Sequence, residues 1–286
     1  MNNRTEDMSM RLFKLSTGIA FAGLVVAPTL AGADGPTIPP SPPASNELQD
    51  IVDSLPDLTP KAFPAVFGVP SAASLADGTI GLDGGSGFVA LTLVDPRDGI
   101  DGNDTDGDLA VGYTVGSAAE SVALTFGVGI TSLDGFGDDG SFFLNASREV
   151  ASTTSSASYI GLQAGNLLAW GDAKDGDETL SAQFSHLQNF SAPNSVVPVQ
   201  FTVGYGTDNT TDDDGSGDLD DGFFAGVGVG IAQNLSGSVS FNETQVNLGV
   251  GFSFPSLPQV GFAAGVFDVS DNTDRQQFSF TAAFNF

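Results

Sequence analysis

The chain has no cysteine among its 286 residues. That excludes disulfides, thiol catalysis, cysteine-based zinc sites and a lipoprotein anchor. Basic residues are scarce: 8 Lys+Arg stand against 35 Asp+Glu, a formal charge of −27. Nucleic acid needs a basic partner surface, so it is excluded as a ligand. Docking on anionic lipid through basic side chains is excluded for the same reason. There is one histidine. An apolar run long enough for a membrane helix is also missing; the run over 19–30 is short and broken by glycine and proline.

That run has a different meaning. Arg11 and Lys14 precede it, and Ala31-Gly32-Ala33 follows as a small-residue cleavage site. Residues 1–33 read as a secretory signal peptide. Residues 34–76 read as a Pro-rich periplasmic segment, extended at first over 38–44. Within it Leu48, Ile51, Val52 and Leu55 fall at helical spacing, behind Asn46 as N-cap and with Gln49 at the third helical position. Pro56 ends that helix. Two roles stand open for it: a plug or docking helix at a barrel mouth, or a periplasmic tether.

From residue 77 to 286 one pattern recurs. Val122, Leu124, Phe126, Val128 and Ile130 alternate with Ala123, Thr125, Gly127 and Gly129. Val246, Leu248, Val250, Phe252 and Phe254 alternate with Asn247, Gly249, Gly251 and Ser253. Side chains point to opposite faces of a strand, so each strand has one apolar face and one small, uncharged face. About twelve such strands are expected, near 79–94, 108–116, 121–133, 140–148, 158–170, 179–190, 197–207, 221–232, 237–242, 245–254, 259–268 and 276–286. Parity flips within the first around Gly84-Gly85, which asks for a glycine bulge or for two short strands.

A soluble sandwich also alternates, but its solvated face carries charge. Here the second face is Gly, Ala, Ser, Thr, Asn and Gln. Connections after odd strands are usually longer and acidic; those after even strands are short. Long outer loops and short periplasmic turns are the asymmetry of a membrane barrel. The fold expected is all-β: a single antiparallel up-and-down transmembrane β-barrel behind an N-terminal extension. Trp170, Tyr159, Tyr205 and Phe190 fall near strand ends, as interfacial aromatics would.

The last strand, F-S-F-T-A-A-F-N-F over 278–286, resembles the closing strand of bacterial outer-membrane β-barrels. That resemblance implies recognition by the barrel assembly machinery through the terminal aromatic, Phe286. It also implies outer-membrane lipid and lipopolysaccharide as surroundings. The stretches 63–70 and 168–172 are similar to cyanobacterial barrel proteins, a likeness that brings no activity with it.

Candidate chemistry is thin. Some twelve-strand barrels are phospholipases with Ser and His on one strand face. Ser185 adjoins His186, and adjacent residues point apart. An interfacial, outward-facing histidine is the expected reading. Asp101, Asn103, Asp104, Asp106 and Asp108 form one acidic cluster; Asp212, Asp213, Asp214 and Asp218, with Asp220 and Asp221, form another. Such hard oxygen ligands suit Ca²⁺, but the EF-hand order is not met. The readings are a calcium site or loosely condensed counter-ions. The glycine run over 226–230 lies inside a strand and does not have nucleotide-loop spacing. No catalytic residues and no organic cofactor are expected.

Two functions follow. One is a narrow passive channel for small polar solutes or cations, with an acidic outer mouth. The other is a closed structural barrel whose loops bind divalent cations.

Overall fold

A computed structural model describes residues 65–73, 85–95, 105–192, 195–211, 219–273 and 276–286. The expected signal peptide, the expected helix over 48–55 and residues 79–84 of the expected first strand fall outside them.

Twelve strands follow in chain order: β1 (Ser86–Asp95), β2 (Asp106–Val115), β3 (Ala123–Ile130), β4 (Gly140–Ser152), β5 (Ser156–Trp170), β6 (Thr179–Ala192), β7 (Ser195–Thr211), β8 (Leu219–Ala232), β9 (Leu235–Phe241), β10 (Val246–Phe254), β11 (Leu257–Phe267) and β12 (Gln277–Asn285). Each pairs antiparallel with its sequence neighbours, and β12 pairs with β1 to close the barrel. Closure runs in register from Phe88 opposite Asn285 to Asp95 opposite Phe278. A closed sheet has no free edge, which a span through lipid requires.

The period-two pattern sets both faces. Leu124, Phe126, Phe201, Val203, Leu248 and Val250 point outward and are exposed, while Thr125, Gln200, Thr202 and Asn247 point inward and are buried. Exposed apolar side chains in such number are tolerated in lipid rather than in water. Aromatic pairs sit toward the strand ends. Phe142–Trp170 and Tyr205–Phe223 lie at one end, with ring centroids 5.9 and 4.9 Å apart. Tyr113–Phe126 and Phe284–Phe286 lie at the other, 6.1 and 6.0 Å apart.

Some expected features differ. Tyr159 is no lipid-facing aromatic: it pairs with inward Ser185 across β5–β6, and its hydroxyl donates to Glu149 Oε2 at 3.3 Å. The bulge between β4 and β5 shifts register near Phe142 and Leu144, with Asn166 and Leu168 at positive φ. Strand β1 begins at Ser86, with Gly85 at φ +141° just before it. The connections at 233–234 and 255–256 are tight two-residue turns. Those at 96–105, 131–139 and 171–178 are much longer, so the asymmetry of the two rims holds.

Candidate functional site: the lumen and its inner segment

Residues 65–73, Ala-Val-Phe-Gly-Val-Pro-Ser-Ala-Ala, carry no charge. Grouped by sequence with the periplasmic extension, they lie inside the barrel, and all but Ala65 are buried. The wall holds them by their main chain. Phe67 N–H donates to Ser238 Oγ at 3.0 Å, and Ser240 Oγ donates to Phe67 C=O at 2.6 Å. Thr202 Oγ1 donates to Pro70 C=O at 3.2 Å. Ala72 N–H donates to Ser185 Oγ at 3.0 Å, and Ser147 Oγ donates to Ala72 C=O at 2.7 Å. Ser71 Oγ pairs with Ser185 Oγ at 3.2 Å and accepts from Gln200 Nε2.

Wall glycines make room for the side chains. A Cβ at Gly265 would lie 2.5 Å from Phe67 Cε1, and one at Gly161 would lie 2.9 Å from Ala72 Cβ. Gly249 likewise faces Phe67, and Gly226 faces Val66. Phe67 also stacks at a tilt against Phe267, 4.7 Å away. Gly68 takes φ +80°, a backbone that glycine adopts without strain, with Asn247 pressed against it. The segment therefore crosses from β9–β11 to β4–β6.

The rest of the wall mixes small hydroxyl residues with a few large inward rings, Phe143 and Phe224 being buried there and Phe88 stacking on Phe143 at 6.3 Å. Thr114 and Thr125 share a 2.7 Å hydroxyl contact, as do Thr92 and Thr281 at 2.9 Å. Asn145 Oδ1, Gln183 Nε2 and Gln200 Oε1 are buried without a hydrogen-bond partner among the described residues. Polar groups of this kind are ordinarily satisfied by water or by a solute.

Few of the acidic candidates lie among the described residues. Asp101, Asn103, Asp104, Asp212, Asp213, Asp214 and Asp218 fall outside the described residues. Asp106 belongs to β2 rather than to a loop, and Asp108 lies on β2 within the expected strand. The Asp106 carboxylate accepts from Leu133 N–H at 2.9 Å and Gly107 N–H at 2.7 Å, so it fastens the next loop. Asp108 lies opposite inward Thr92, at the lumen mouth. Asp220 and Asp221 lie on β8, halfway round the twelve strands. Among the described residues no three acidic or histidine side chains are grouped to hold a metal.

His186 faces outward, opposite Phe201 and Ser158. Its Nδ1 lies 2.8 Å from Ser158 Oγ on the neighbouring strand, which gives the ring a polar partner at the barrel surface.

Sequence reasoning missed the wall serines and glycines as a docking surface. The available signal was the uncharged run over 62–76 beside strands whose glycines fall on one parity.

No protein-family model matches the chain, and no curated protein does. Similar solved structures include the KdgM porin, with 9% identity, 70% of this chain and 99% of that one covered, and a TM-score of 0.47. They also include the Acinetobacter baumannii outer membrane protein Omp33, with 11% identity, coverage of 72% and 100%, and a TM-score of 0.45. The NanC porin shows 6% identity, coverage of 70% and 98%, and a TM-score of 0.44. On its own geometry, apolar without and largely hydroxyl-lined within, the chain is a closed twelve-stranded antiparallel β-barrel with the two faces of a membrane-spanning barrel.

Proposed function

We propose that the barrel is a narrow passive channel for small polar solutes or cations, with its acidic rim outside. The observation that carries this reading is the inner wall. A barrel built only as a scaffold fills its interior with interlocking large side chains. Here much of the wall is Gly, Ala, Ser and Thr with the amides of Asn145, Gln183 and Gln200, and inward Phe143 and Phe224 narrow it without closing the ring of polar groups. Its groups are mostly neutral, so selectivity is assigned to the mouth, where Asp108 and the acidic connections stand. The purified full chain should give discrete conductance steps in planar bilayers. A silent bilayer, with insertion verified by protease protection, would reject the channel.

A second reading has its own support. Residues 65–73 occupy part of the lumen, as in a barrel closed for structural duty. On that reading the acidic loops bind divalent cations or bridge lipopolysaccharide, with Asp101, Asn103, Asp104, Asp106, Asp108 and Asp212, Asp213, Asp214, Asp218 as oxygen donors. Calorimetric titration with Ca²⁺ would separate one stoichiometric site from diffuse condensation.

A further inference from the structure

We infer that the inner wall is a binding site for an uncharged, turn-forming peptide, and that residues 65–73 are its resident, displaceable occupant. This rests on the channel reading and adds the element that sets whether the path is open. Five main-chain groups of the segment, at Phe67, Pro70 and Ala72, meet hydroxyls of Ser147, Ser185, Thr202, Ser238 and Ser240. Hydroxyls that read a backbone do not select side chains. Selection comes from the sockets: Gly249 and Gly265 admit the Phe67 ring, Gly226 admits Val66 and Gly161 admits Ala72.

The segment is not a thirteenth strand. It crosses the lumen instead of joining the ladder, so releasing it breaks no barrel pairing. It carries no charge to be desolvated or left unpaired on release. A latch joins it to the outer rim: Asn247 Nδ2 donates to Ser240 Oγ at 3.3 Å, and Asp268 N–H donates to Asn247 Oδ1 at 3.0 Å. The rim loop and the occupant thus share one hydrogen-bonded path.

The absence of cysteine makes the test clean. In S71C/S185C the replaced hydroxyls stand 3.2 Å apart, and oxidation should join them. The full-length oxidised protein should conduct severalfold less than the same sample after reduction, while either single variant should ignore redox state. Failure of the disulfide to form would overturn the placement of the segment. A formed disulfide with unchanged conductance would overturn displaceability.

A second measurement needs no conduction. A variant lacking 65–73, shown to be folded by its shift in gel mobility on boiling, is titrated with a labelled synthetic peptide of that sequence. Saturable binding that weakens severalfold when Phe67 of the peptide is replaced by Asp supports the site. No binding overturns it. Binding without conductance in any variant would sink the channel reading and keep the site. Conductance indifferent to redox state and to peptide would sink the site and keep the channel.

Discussion

Asp268 sits just past β11 with φ +49° and no exposed surface. Burial by itself raises its carboxyl. Hydrogen bonds from the Thr273 N–H and hydroxyl, the Asn272 N–H and the Ser270 hydroxyl outweigh that and hold it below the usual carboxylate range. The folded group thus titrates below the unfolded one. Its contribution is complete above the ordinary value of about 3.9 and is lost as pH falls through the lowered value. Thermal unfolding of the wild type should weaken on acidification in that window. Asp268→Asn should be less stable at neutral pH and should lose this acid-dependent component. Asp268→Ala, which strips the two buried Thr273 donors of their acceptor, should cost about 1–3 kcal/mol at pH 7. An equal pH response in wild type and Asp268→Asn would show that the network does not govern the rim.

Strand β12 closes the barrel, and its aromatic residues fix how. Phe286 N–H donates to Gly87 C=O at 2.9 Å, and Gly87 N–H donates to Phe286 C=O at 2.7 Å. The Phe286 ring lies over the space that a Gly87 side chain would fill. Phe286→Asp should lower the amount of folded barrel in cells, read as the fraction that migrates as a compact form before boiling. Val203→Arg, on the outward face midway along β7, should cost about 2–4 kcal/mol in refolding titrations if that face meets lipid. Unchanged refolding of Val203→Arg would contradict a lipid-facing β7.

Strands of this kind were legible because period two repeats over many residues and both faces are chemically distinct. Their ends were less so. Asp106 reads as part of a loop because acidic residues usually mark turns, yet β2 begins there, two residues before the expected strand. The inner segment shows its lack of charge in the sequence, but its partners are hidden for another reason. Phe67 and Ser238 are 171 positions apart, and the contact is made by the backbone, which leaves no side-chain signature. Tyr159 was misassigned because an aromatic near a strand end fits either face, and parity with Gly161 and Gln163 decides it.

At the scale of the whole molecule, the charge of −27 is unevenly distributed. The long connections after odd strands carry most of the acid, at the end where Asp108 faces the lumen. Carboxylates crowded at a pore mouth favour cations, and their reach is about 10 Å at 0.1 M salt. We expect a weak cation preference that fades as salt rises. Replacing Asp212, Asp213, Asp214, Asp218, Asp220 and Asp221 by Asn should move the reversal potential in a KCl gradient toward zero more than it changes conductance. A wild-type reversal potential in that variant would assign these residues to solubility alone.

The seam between β1 and β12 also bears on the order of assembly. A sheet that becomes a tube only when its first and last strands meet is an open tray until then. The hydroxyls of Ser147, Ser185, Ser238 and Ser240 face upward on that tray. Residues 65–73, which precede β1, can be laid across them sideways, with no end to be threaded through a finished ring. Curling the tray then wraps the wall around a guest already in place, so the peptide can serve as a former for the cylinder that later encloses it.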